Sequence, residues 1–142
     1  MSRFTCFGVV TLLCAVVPTL PALAAEAALH SKPVTVEALD GTLVKKVTLT
    51  QKAADRLGIQ MAEVREDPAK RLIVPYAAIL YDLSGTTWVY TSPRPLTFVR
   101  QQVKLEQIQN ENAFLAEGPP VGTKVLTVGV PQVFGAEVGV GH

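Results

Sequence analysis

Apolar and polar side chains alternate with a period of two over most of the segment spanning residues 72–105, and that alternation predicts three consecutive antiparallel strands, a β-meander. The first run covers residues 73–81 and carries Pro75 near its start, where a missing backbone donor is tolerated. Asp82, Ser84 and Gly85 then form a turn signal. The second run, residues 87–91, sets Trp88 and Tyr90 on one face and Thr87, Val89 and Thr91 on the other. Pro93 and Pro95 remove two donors, so the chain is expected to turn before a third strand over residues 96–105. There Val99, Val103 and Leu105 share a buried face, and Arg100, Gln102 and Lys104 share a wet one.

Shorter patterns flank the meander. Residues 34–39 alternate, Asp40-Gly41 signals a hairpin, and residues 43–49 return beside the first strand. Thr50 stands as an N-cap and Gly58 as a C-cap around a short helix over residues 51–57, with Ala53, Ala54 and Leu57 as its apolar stripe. A strand over residues 59–64 follows, with Met61 as core filling, and then a charged, proline-bearing linker over residues 65–71. Residues 106–112 read as a polar loop, 113–117 as a short strand and 118–123 as a rigid turn between Gly118 and Gly122. Residues 124–128 form a last strand closed by Gly129, and residues 131–142, rich in glycine, read as a tail that frays. The sum is seven or eight short strands and one helix: a mainly β, single-domain fold of antiparallel strands, a β-roll or small α+β unit.

The start of the chain belongs to a different pattern. A short basic start at Arg3, an apolar run over residues 7–17 and the small-x-small sequence Ala22-Leu23-Ala24 read as a secretory signal peptide over residues 1–24. Cleavage is expected near Ala24, with export to the periplasm and a flexible lead-in over residues 25–32. The apolar run is shorter than the ~20 residues of a spanning helix, so a retained membrane anchor is the lesser reading. Both cysteines, Cys6 and Cys14, fall inside the leader, which excludes disulfides and thiolate chemistry from a mature chain. Loss of Arg3 leaves 12 basic side chains against 12 acidic, so charge argues for neither nucleic acid nor an anionic membrane surface as partner.

Candidate chemistry is sparse. The two histidines, His30 and His142, stand near opposite ends, and the acidic neighbours Glu66 and Asp67 lie in a solvated charge run, so no triad or acid–base pair is expected. The glycines at 118 and 122 precede a strand and do not open a helix, which excludes a phosphate-cradling loop. No enzyme activity, cofactor or metal follows from these residues. Trp88 and Tyr90 are either buried anchors of the sheet or a protein-docking patch, and Phe98 and Arg100 on the next strand share that alternative. Pro75, Gly85, Gly118, Gly122 and Gly129 are structural.

Four segments in order, VTLTQKAADRLGIQMAEV, VPYAAILYDLSGTTWVYT, PLTFVRQQVKL and GPPVGTKVLTVGVPQVFGAE, resemble the periplasmic adaptor proteins, or membrane fusion proteins, of RND-type efflux pumps, in their heavy-metal and multidrug branch. The family's recurring strands fall on Val74-Pro75 with Ala78-Ile79-Leu80, on Trp88-Val89-Tyr90, on Phe98-Val99-Arg100 with Val103, and on the Gly118 to Gly129 ending. Adaptors carry a lipoyl-like sandwich, a helical hairpin and a β-barrel where this chain has only residues 65–71. The resemblance therefore implies the two halves of a membrane-proximal domain joined directly over residues 33–130. It implies a non-enzymatic, accessory or regulatory protein bound to an RND-type pump or full-length adaptor. A periplasmic metal carrier is the alternative, although one methionine, two terminal histidines and no cysteine make a poor soft-metal set, and a small envelope enzyme is the third reading.

Overall fold

The computed structural model describes residues 32–139; the expected leader, both cysteines and both histidines lie outside them. Eleven strands run in chain order: β1 (Val34–Ala38), β2 (Lys45–Leu49), β3 (Gln60–Glu63), β4 (Arg65–Glu66), β5 (Leu72–Pro75), β6 (Leu80–Tyr81), β7 (Thr87–Arg94), β8 (Thr97–Gln102), β9 (Lys104–Gln109), β10 (Asn112–Glu117) and β11 (Lys124–Val128). Helix α1 (Gln51–Leu57) follows β2, and α2 (Val130–Val138) follows β11. A seven-stranded sheet has the order β1-β2-β8-β7-β11-β3 with β6 added on β7, and a four-stranded sheet has the order β4-β5-β10-β9. All pairings are antiparallel. The mainly β class read from the pattern is the observed one.

Two of the expected strands are divided and a further short strand, β4, forms within the expected linker, which is why eleven replace seven or eight among the described residues. The run over residues 73–81 becomes β5 in the small sheet, a 3-10 turn at Tyr76–Ala78, and β6 in the large sheet. The run over residues 96–105 becomes β8 and β9, and the expected loop beyond it continues β9 to Gln109. Likewise β3 passes into β4. At two of these corners a buried valine, Val64 or Val103, carries the chain from one sheet to the other. Strands that change sheets through a bend make such corners without losing backbone bonds. Val64 N–H donates to Thr123 O at 2.9 Å and its carbonyl accepts from Gly122 N at 2.8 Å; Val103 N–H donates to Thr87 O at 3.0 Å. Alternation along a sequence marks faces and is silent on which sheet a strand joins.

The large sheet is buried on both sides at its centre. Val89 and Val125 face the small sheet and pack with Val64, Val74, Val103, Ala113 and Leu115. Their chain neighbours Tyr90 and Leu126 face the helices and pack with Val47, Leu49, Phe98, Val130 and Val133. Strand β7 is correspondingly longer than expected: it runs to Arg94 through a register shift that takes up Ser92 and Pro93, and the chain turns at Pro95-Leu96. The linker over residues 65–71 is a hairpin between β4 and β5, tied by Asp67, which accepts from Arg71 N at 2.9 Å and Arg71 Nε at 2.8 Å.

Helix α1 forms where the caps place it: Thr50 Oγ1 accepts from Ala53 N at 3.3 Å, and Gly58 takes φ 60° beyond its last turn. Over residues 131–138 the expected fraying tail is helical, and residues 140–142 lie outside the described residues. Residues 130–138 form α2, with Pro131 in its first turn, Gly139 at φ 84° past its end, and Val130, Val133 and Glu137 buried along one stripe. Glycines at 129, 135, 139 and 141 hid that stripe by suggesting loose chain. Gly129 is needed for its φ of 97°, and a Cβ built on it would also displace the tip of the Ile59 side chain. Gly129→Ala is expected to cost about 1–3 kcal/mol, the range for a non-glycine residue held in such a conformation, as a lowered urea midpoint at unchanged slope. Among the described residues no helix is long and apolar enough to cross a membrane.

Candidate functional site

Strands β7 and β8 pair with Tyr90 opposite Arg100 and Trp88 opposite Gln102, which sets Trp88, Tyr90, Phe98 and Arg100 on one face. Helix α2 covers that face. Tyr90 and Phe98 are fully buried, and the carboxylate of Glu137, 2% exposed, comes down from α2 onto them. Tyr90 Oη donates to Glu137 Oε2 at 2.5 Å, Lys45 N–H donates to Glu137 Oε1 at 3.2 Å, and Arg100 Nη2 lies 3.3 Å from the same oxygen. Lys45 Nζ also donates to the Glu137 carbonyl at 3.1 Å, near the C-terminal end of α2, where a cation is favoured. Burial, and next the bond to Glu137, push the Tyr90 hydroxyl far above the ordinary phenol range, so it remains a donor.

Arg100 is held on its other faces by aromatic rings, 4.5 Å from the Trp88 centroid and 5.6 Å from that of Phe134, while its Nε has no hydrogen-bond partner. Trp88 is half-buried under the guanidinium, and its Nε1 donates to Asp82 Oδ2 at 3.0 Å. Asp82 organises the whole β6–β7 turn: its Oδ1 also accepts from Ser84 N, Ser84 Oγ and Thr86 N, with Gly85 at φ 82° completing the bend. These bonds, the Ser84 hydroxyl first and the indole next, lower the Asp82 carboxyl to about 2. A carboxyl depressed in the folded state stabilises above its unfolded value and loses that contribution as pH falls through its folded value. With Trp88 the sole tryptophan, its fluorescence is expected to titrate near pH 2 and to stay flat near pH 4, and Asp82→Ala is expected to abolish that step.

The four aromatic-face residues are thus brought together, as an interior clasp and not as an open docking patch. Tyr90 and Phe98 are core, and the face of Arg100 expected to be wet lies under α2. Glu137 and Asp82 escaped the sequence reading as members of this cluster. Glu137 had a signal in its spacing of four and seven from Val133 and Val130, and Asp82 in its place six residues before the indole. Met61, expected in the core, is 42% exposed on the edge strand β3. Pro75 ends β5 opposite Asn112 and does not begin a strand. Gly122 takes φ 84° in its turn, whereas at Gly118 the tightness is one of packing: a Cβ there would sit 3.0 Å from Leu115 Cδ1, which would have to give by a few tenths of an ångström. Among the described residues no group of three or more His, Cys, Asp or Glu side chains converges on a common point. Among the exposed large apolar and aromatic side chains are Tyr76, Tyr81 and Leu83, which lie along the chain between the 3-10 turn and the β6–β7 turn.

Comparison with family models, with curated proteins and with solved structures finds no match to this chain.

Proposed function

We propose that this protein is a small exported module that binds another protein, its partner being an RND-type pump or a full-length adaptor of such a pump, in an accessory or regulatory role. The observation that carries the reading is the interleaving of the two sequence blocks. Strands β1, β2 and β3 from the first and β7, β8 and β11 from the second share one sheet, and residues 65–71 close as a hairpin between them. That is the arrangement expected when two halves of a membrane-proximal domain are joined directly. With Trp88, Tyr90, Phe98 and Arg100 occupied inside, contact with a partner falls to the segment from the 3-10 turn through β6 to the β6–β7 turn, which exposes Tyr76, Tyr81 and Leu83 and where tyrosines supply large contact area at low entropic cost.

A photo-crosslinking residue in place of Leu83, which projects fully from the β6–β7 turn, is expected to capture an envelope transporter or adaptor subunit in cells. Tyr76→Ala together with Tyr81→Ala should reduce the yield while leaving the circular-dichroism spectrum unchanged. Capture of no transport component from the envelope would remove the support for this reading.

A further inference from the structure

The two sheets leave edges, and they are not equally protected. Strand β4 is two residues long. The ladder of β3 with β11 is broken by a register shift, and that of β9 with β10 by two. Bulges and short strands are devices that blunt an edge against pairing. Strand β1 has neither: its five residues pair with β2 without a shift, from Val34 opposite Leu49 to Ala38 opposite Lys45. Its one charge, Glu37, is already engaged by Lys46 of β2. Val36, in the middle of the strand, is 38% exposed.

From these observations we infer that β1 is a self-association edge, and that two copies of this chain join there about a two-fold axis at Val36 into one continuous sheet. The strand is self-complementary in that register. Antiparallel pairing centred on Val36 sets it against its own copy, Thr35 against Glu37 and Val34 against Ala38, so no like charges meet and the apolar face of one strand continues that of the other. Beside the same edge lies an open groove of about 700 Å³, lined on the strand side by Val34 and Val36 and on the helix side by Pro131, Gly135 and Ala136. A two-fold axis normal to the sheet keeps both grooves on one face, so the small residues of the two α2 helices face each other across the seam and leave room for close approach. This interface is independent of the transporter or adaptor contact proposed above, which uses residues 76–83 and not β1.

The test is sedimentation velocity of the full chain with Cys6 and Cys14 replaced by Ser, together with Val36→Cys and Met61→Cys versions treated with a short thiol-reactive bifunctional reagent. Met61 is exposed to a similar degree on the opposite edge of the same sheet. A dimer that crosslinks through Val36→Cys and not through Met61→Cys, and that Val36→Lys converts to a folded monomer by opposing two charges, is the expected result. A monomer at all concentrations, a dimer that Val36→Lys leaves intact, or equal crosslinking from both edges overturns the inference. Circular dichroism of Val36→Lys separates loss of pairing from loss of fold, and should Val36→Lys unfold, the two cysteine variants decide alone.

Discussion

Glu137→Ala is expected to lower the unfolding free energy by about 3–5 kcal/mol, because removing one partner of a buried ion pair leaves the other charge uncompensated. Here the orphan is Arg100, 12% exposed and already lacking a partner at Nε, and Tyr90 Oη loses its acceptor at the same time. Urea denaturation monitored by Trp88 fluorescence measures the loss. The comparison that identifies the mechanism is Glu137→Leu combined with Arg100→Met and Tyr90→Phe. Replacing the three side chains by apolar groups of similar volume leaves only the part-buried Lys45 N–H without its acceptor and should recover most of the stability, since a buried ion pair is close to neutral against a well-packed apolar substitute. If Glu137→Ala alone costs less than about 1 kcal/mol, the cluster is not what fixes α2 to the sheet.

That clasp also shows where the sequence stopped being informative. The cap residues of α1, the hairpin at Asp40-Gly41, the turn at Gly85 and the β character of nearly every apolar run follow from local chemistry, and each is where the pattern puts it. The pairing of the two blocks was legible only through the resemblance and through the need to bury both. Sheet membership was not legible, because a bend at Val64 or Val103 leaves the period of two intact on either side. Arg100 looked wet for a related reason: alternation assigns faces, but only the presence of α2 decides whether a second face is covered. Since α2 itself was obscured by its glycines, the error in the tail produced the error in the site.

The choice between core and docking roles for the aromatic face predicts different costs for its two rings. Phe98 is fully buried between β2, β7 and the helices, and Phe98→Ala is expected to cost about 3–5 kcal/mol, the transfer term plus a cavity that strands hydrogen-bonded on both sides cannot close. Trp88 is half-buried, stacked on Arg100 and bonded to Asp82. Trp88→Ala removes a stacking contact of about 1–2 kcal/mol and part of a ring's burial, and opens Arg100 to water, which relieves some of the loss. Chemical denaturation followed by far-ultraviolet circular dichroism should therefore rank Phe98→Ala well below Trp88→Ala, with the latter still folded. Because the indole lies under a guanidinium and against its own turn, the folded Trp88→Ala protein should also retain its crosslinking through Leu83. A Trp88→Ala chain that folds but no longer captures a partner would return the docking surface to the face of the sheet, and would require α2 to lift from it on binding.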